Sequence, residues 1–232
     1  MWSMLGVALL VGMHHALEAD HVAAVSSLAT GKKRLPDVVS QGLVWGLGHT
    51  AALFLFAGLA LLLGHAIPER FATHLESAVG IMLIGLGLHV IWRLWKDSIH
   101  FHGHTHTQGQ YHFHAHSHAA EPMPHAKSRH LHRHDFAWRT LFVGMTHGMA
   151  GSAALLLFTV AQTYSTAQGI GFVLLFGIGS MAGMALVSVA IGIPLLLTAR
   201  FLTWANRTIQ LCVGLVTAGI GVSIVYHTVL AY

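Results

Sequence analysis

Eight consecutive residues, His14-His15-Ala16-Leu17-Glu18-Ala19-Asp20-His21, carry three imidazoles and two carboxylates inside an otherwise apolar stretch that runs from Met1 to Ala29. Ionisable side chains are costly in hydrocarbon, and at that depth they face a bundle interior and mark an ion or substrate pathway. Imidazole nitrogens and carboxylate oxygens are also donors that divalent transition metals take. The run therefore predicts a metal site inside a membrane. On an ideal helix His14, Glu18 and His21 share one stripe. His15 stands about 100° from that stripe on one side and Asp20 about 120° on the other, at 3.6 residues per turn. Either the helix unwinds across the run, as discontinuous helices at transporter sites do, or only some of these groups bind while others pair with neighbouring helices. A His–carboxylate cluster that merely locks helices together is the plain alternative, but that glue in membranes is usually Ser, Thr or Asn.

Two further histidines fall in the middle of apolar stretches. His49 follows Gly46-Leu47-Gly48, and His147 precedes Gly148-Met149-Ala150-Gly151-Ser152. Small residues let helices approach closely, so His15, His21, His49 and His147 can converge at one depth. His14, Glu18, Thr50 and Ser152 are secondary candidates that would balance charge or orient ligands. His89, beside Trp92 and Arg93, reads as interfacial and structural, and His65, His74 and His227 as solvated residues near span ends.

The elements that must position these groups are membrane spans. Of 232 residues, 54% are hydrophobic and only 9% charged, with mean hydropathy +0.63. Soluble domains are about a quarter charged. Six apolar stretches reach the ~20 residues that a span needs: Met1–Ala29 with its polar insert, Val38–Leu63, Leu75–Trp95, Trp138–Gln162, Gly169–Leu197 and Phe201–Leu230. Eleven of the twelve Lys and Arg residues fall in or beside the first, third and fifth loops; the other, Arg70, lies in the second. Positively charged loops stay cytoplasmic, so those three loops are expected inside and both termini outside, in the inner (plasma) membrane. The pI near 9.6 reflects this distribution rather than nucleic-acid binding. Met1–Met13 lacks the basic n-region and cleavage site of a signal peptide. The single cysteine, Cys212, excludes an internal disulfide and any Cys–Cys metal or redox pair.

The two halves resemble each other. Gly12-Met13-His14-His15 recurs as Gly144-Met145-Thr146-His147, Gly46-Leu47-Gly48-His49 aligns with Gly177-Ile178-Gly179-Ser180, and Val79-Gly80 with Val213-Gly214. A three-span unit followed by its copy must be inverted in the membrane, and inverted repeats place a substrate site where the halves meet near the midplane. The expected fold is all-α, a polytopic membrane protein of six helices in a 3+3 inverted repeat: residues 1–96, a connecting loop 97–135, and residues 136–232. Twelve of the loop's 39 residues are His: His100, His102, His104, His106, His112, His114, His116, His118, His125, His130, His132 and His134. Its Gly, Gln, Pro and Ser content argues for disorder. Its histidines, the first eight above all, would bind divalent metals as a cytoplasmic reservoir or sensor. Affinity alone would not choose among such metals.

His15-Ala16-Leu17-Glu18-Ala19-Asp20-His21 resembles the His-x4-Asp-His signature of the nickel/cobalt transporter family, and its flanks, Gly-Met-His-His-Ala and Val-Ala-Ala-Val, look like that family too. Gly46–Thr50 and His147–Ala153 resemble its later motifs, the latter most like short six-span permeases linked to urease accessory functions. The likeness covers all six spans. It implies a proton-motive or channel-like carrier of Ni²⁺ or Co²⁺ as transported substrate, with no permanent cofactor. The matching metal-path residues are His15, Asp20, His21, His49 and His147. Partners in the same picture are the lipid bilayer, transition metal ions and cytoplasmic metallochaperones or urease and hydrogenase maturation factors. The chain departs from larger uptake permeases in having six spans rather than eight. Its His-rich loop is similar to that of related exporters, which carry Gly where this chain has Asp20. The signature favours uptake and the loop efflux.

Two other classes fit less well. A membrane metalloenzyme would need His-Glu-x-x-His or many ligands at one cytoplasmic face, and neither is present, so the chain is not read as an enzyme. A membrane metal sensor or chaperone would use the loop alone and leave the mid-span histidines without a purpose.

Overall fold

The computed structural model describes residues 2–63, 68–96, 100–105, 111–116, 138–162 and 165–230. The core is all-α. In chain order it contains α1 (Trp2–His15), α2 (Ala19–Ala29), α3 (Leu35–Leu63), α4 (Glu69–Lys96), α5 (Trp138–Gln162), α6 (Thr166–Phe201) and α7 (Thr203–Val225), the last continuing into a π-helical turn, Tyr226–Leu230. Among the described residues, four helical runs are long and apolar enough to cross a membrane: Leu35–Leu63, Glu69–Lys96, Thr166–Phe201 and Thr203–Val229. Many of their large apolar side chains, such as Leu55, Leu62, Ile81, Leu186 and Leu215, point outward. In water that would be a liability, whereas lipid is the solvent such a surface fits. Helix α5 has 25 residues.

The first apolar stretch is not one helix. It breaks between His15 and Ala19, so the unwinding alternative is the one realised. Leu17 and Glu18 donate their N–H groups to the carbonyls of His14 and His15, at 2.9 and 3.1 Å, which tightens the end of α1. Glu18 is then extended (φ −61°, ψ 147°), and its carbonyl accepts from Val22 N–H to start α2. Three helices also begin before their expected apolar limits: α3 at Leu35, α4 at Glu69 and α6 at Thr166. Polar residues occupy those first turns, where unpaired N–H groups tolerate water or acidic side chains.

Helices approach through glycine at matching places in the two halves. A Cβ on Gly12 would lie 2.1 Å from Phe176 O, and one on Gly144 would lie 2.1 Å from Trp45 O. A Cβ on Gly48 would lie 2.2 Å from Leu141 O, and one on Gly179 would lie 2.1 Å from Leu9 O. A Cβ on Gly80 would lie 2.9 Å from Gly221 O, and one on Gly214 would lie 3.1 Å from Gly87 O. Helix α1 thus packs on α6 as α5 packs on α3, while α3 crosses α6 and α4 crosses α7. Between helices, small residues replace the hydrophobic effect with van der Waals contact and short polar links. One such link is Ser27 Oγ to Thr217 Oγ1, at 2.9 Å.

Arg93 closes one face. Its guanidinium donates to Thr30 O at 2.9 Å and to Gln210 Oε1 at 3.2 Å, joining the ends of α2 and α4 to the first half of α7. Gly31 adopts φ 75° in the turn after α2, and a Cβ there would strike Arg93.

The connector differs from a structureless linker over twelve residues. Strands β1 (His100–Thr105) and β2 (Tyr111–His116) form an antiparallel hairpin whose register pairs His100 with His116, His102 with His114 and His104 with His112. His106, His118, His125, His130, His132 and His134 lie outside the described residues.

Candidate metal centre

The break turns His15, Asp20 and His21 toward the bundle interior. His15 closes α1, Asp20 and His21 open α2, His49 comes from the middle of α3 and His147 from α5. His21, His49 and His147 are 2%, 0% and 2% exposed, respectively. Ring centroids of His21 lie 4.3 Å from His15, 4.3 Å from His147 and 5.0 Å from His49. Four imidazoles from three apolar stretches therefore surround one point, with His21 at its centre.

Two carboxylates hold three of these rings. His21 Nδ1 lies 2.9 Å from Asp20 Oδ1, His147 Nε2 lies 2.9 Å from Asp20 Oδ2, and His15 Nδ1 lies 2.8 Å from Glu18 Oε1. A ring that donates N–H to a carboxylate keeps a lone pair on its other nitrogen. Those other nitrogens, His15 Nε2, His21 Nε2 and His147 Nδ1, are buried and have no hydrogen-bond partner among the described residues, and neither nitrogen of His49 has one. A buried polar atom without a partner is uncommon in a native fold and calls for an explanation. For His15, His21 and His147, a carboxylate behind the ring with the other nitrogen in front is the arrangement that orients imidazoles toward a metal ion.

Two overlapping donor sets can hold an ion: His15, His21 and His49, and Asp20, His21 and His147. Within each set the donor atoms lie within 4.8 Å of one another. Glu18, the residue before α2, makes no capping bond to that helix and spends its carboxylate on His15 instead. Asp20 sits in the first turn of α2, where the helix dipole favours negative charge.

A cavity of about 260 Å³ leads to the donors. Its wall includes Glu18, Asp20, Glu76, His147 and Gly151. His49 does not line it and is the most deeply placed of the four histidines. Trp45 stacks on His49 at 5.7 Å and 23° and closes the far side together with Phe176, whose ring lies 5.1 Å from His15.

The remaining sequence candidates fall elsewhere. His14 is exposed and turned away from the cluster. Thr50 donates to Gly177 O at 3.1 Å, so it ties α3 to α6. The side chain of Ser152 and those of the hairpin histidines lie outside the described residues, as does His65. His89 packs near Trp92, and His74 and His227 are exposed. Residue-type reasoning missed Trp45, Phe176, Glu76 and Ser180. Ser180 is buried, with no partner for its Oγ among the described residues, and its signal in the sequence was its alignment with His49 in the internal repeat.

No model of a known protein family matches the chain, and no solved structure does. Among curated proteins, the Arabidopsis thaliana chloroplast proteins FOR GROWTH AND FERTILITY 2 and 1 are 25% and 24% identical over 88% and 89% of this chain. The chain spans about half of their length, 53% and 56%. The urease accessory protein UreH of Bacillus sp. (strain TB-90) is 32% identical over 97% of this chain and 91% of its own length. At that identity and coverage, this chain belongs to the family of the urease accessory protein UreH.

Proposed function

We propose that this chain is a six-span inverted-repeat carrier that brings Ni²⁺ and/or Co²⁺ across the cell's inner membrane. The broken α1–α2 pair counts as the first span and α5 as the fourth. The paired glycine contacts, Gly12–Phe176 with Gly144–Trp45 and Gly48–Leu141 with Gly179–Leu9, support the inverted repeat. The charge distribution supports cytoplasmic first, third and fifth loops and external termini. Kinship with a urease accessory protein supports a place in nickel supply to urease, with maturation factors or metallochaperones as recipients.

The observation that carries the reading is the cluster of four histidines, three of them buried, whose ring nitrogens not held by Glu18 or Asp20 are buried without a hydrogen-bond partner among the described residues. The ion enters by the cavity beside Glu76, which lies toward the α4 start and therefore toward the outside in this topology. It meets the Asp20, His21 and His147 set, where binding displaces the hydrogen bonds from the two rings to Asp20, then passes to His15, His21 and His49. His21 belongs to both sets, so the ion is handed on without losing all its donors. Mostly neutral nitrogen ligands hold a divalent ion moderately and allow release. The His-rich hairpin, on the cytoplasmic side, captures the ion after passage.

The test is radiolabelled nickel accumulation in metal-transport-deficient bacteria carrying this chain, its His21→Ala variant or an empty vector. Accumulation above vector that is lost in the variant is expected. Accumulation below vector would reverse the direction, and no difference for nickel or cobalt with the protein in the membrane would end the transport reading.

A further inference from the structure

The donor cluster is lopsided. His49 on α3 faces the space between His15 and His147, its ring centroid 5.4 Å from the first and 5.8 Å from the second. The matching position on α6 holds Ser180, in Gly177-Ile178-Gly179-Ser180 against Gly46-Leu47-Gly48-His49. The surroundings match as well. Gly48 sits against Leu141 O of α5, and Gly179 sits against Leu9 O of α1 at the same close range. Trp45, one turn before His49, lies 5.4 Å from His147, and Phe176, one turn before Ser180, lies 5.1 Å from His15. Exchanging the two halves therefore exchanges His15 with His147, Trp45 with Phe176, and His49 with Ser180.

Ser180 has 0% exposure, and its hydroxyl has no hydrogen-bond partner among the described residues. A helical serine ordinarily satisfies itself on the carbonyl one turn back, as Ser188 on the same helix does with Met184 O at 2.7 Å. Ser180 does not, and a buried hydroxyl left unpaired is destabilising.

We infer that Ser180 Oγ is an oxygen donor to the ion, placed across the cluster from His49. This rests on the metal-centre reading above. Its consequence is a donor set that mixes imidazole with a neutral hydroxyl. A histidine at this position would add a fourth nitrogen to the His15, His21 and His49 set and favour closed four-coordinate binding, the tetrahedral arrangement of structural zinc sites. A hydroxyl is a weaker, harder ligand and leaves the ion exchangeable.

The test uses the full chain with Cys212→Ser, so that no thiol remains, and adds Ser180→Cys. A thiolate on Co²⁺ produces a near-ultraviolet charge-transfer band that imidazole and oxygen ligands do not give. The band is expected in the Ser180→Cys protein and absent from the Cys212→Ser parent, and the Ser180→Ala protein is expected to bind Ni²⁺ at the core site about 10-fold more weakly. No band in a Ser180→Cys protein that still binds cobalt overturns the inference. If that variant does not fold, an unchanged nickel affinity in Ser180→Ala does so instead. Failure of the metal-centre reading is distinguishable: His21→Ala in the parent would then remove no bound equivalent of cobalt.

Discussion

His147 Nε2 lies 2.9 Å from Asp20 Oδ2, although 127 positions separate the two residues in sequence. The same carboxylate takes His21 Nδ1 on its other oxygen, also at 2.9 Å. One aspartate thus fixes two histidines from opposite halves of the chain, and the remaining nitrogen of each has no partner among the described residues. Asp20 is where the halves are tied together at the site.

Replacing Asp20 by Asn keeps the shape, removes the charge and takes away one of the two acceptor oxygens. His147 or His21 then loses its anchor. Metal affinity is expected to fall about 10- to 100-fold, as it does when carboxylates behind ligating histidines are removed. Nickel titration of the purified protein reads this directly, and an unaltered affinity would remove Asp20 from any orienting role.

His49→Ala and His14→Ala separate the inward-facing donors from their neighbours. His49 is fully buried, with no partner for either ring nitrogen among the described residues, while His14 is exposed. Nickel uptake into vesicles should be abolished by the first and stay near wild type in the second. Equal effects of the two would mean that burial does not mark the path.

Gly144→Ala puts a methyl 2.1 Å from Trp45 O and forces α5 away from α3. Overpacking of this kind costs roughly 1–3 kcal/mol, and it also moves His147 relative to His49. A lower unfolding temperature in detergent together with lost uptake is expected. Gly219→Ala, which meets nothing within 4 Å, should leave both unchanged.

Glu76→Gln removes a negative charge from the mouth of the cavity without touching the donors. Charge at a cleft raises the local cation concentration, and that effect falls with ionic strength. The KM for nickel should rise several-fold at low salt while kcat holds, and the difference should shrink at high salt. A change in kcat alone would argue that Glu76 acts in a later step.

The His-rich hairpin has its own pH signature. An imidazole binds metal only through an unprotonated nitrogen, and its ordinary pKa is about 6.5. If the hairpin binds metal as proposed, bound nickel is expected to fall as pH drops through about 6, where protonation takes the imidazole lone pairs, and to return above about 7. Deleting residues 100–118 should remove this pH-dependent fraction of bound nickel from the purified protein and leave uptake by the core measurable. Uptake that vanishes with the deletion would make the loop part of the path.

The sequence by itself marked the chemistry and the solvent. Five ionisable residues between His14 and His21 in an apolar stretch announce a polar interior, because hydrocarbon excludes them unless they are used. Hydropathy announces helices of membrane-crossing length, and the Gly-rich repeats announce close helix contact. These are local properties, carried by residue type and short spacing. The tertiary structure decided the rest. Helical geometry left the α1–α2 break as one of two outcomes, and packing chose it by placing Ala16 and Met13 against Gly183. His14 and Thr50 look as suitable as their neighbours in one dimension, yet the rotation of α1 and α3 about their axes sends one outward and the other to Gly177 O. Trp45, Phe176, Glu76 and Ser180 carry no ligand-like pattern, and each gains its place only from what lies opposite it. Which nitrogen of His15, His21 and His147 is held depends on Glu18 and Asp20, and Asp20 reaches His147 only because α5 packs across the bundle. Contacts between distant segments depend on the orientation of whole helices, which no local spacing specifies.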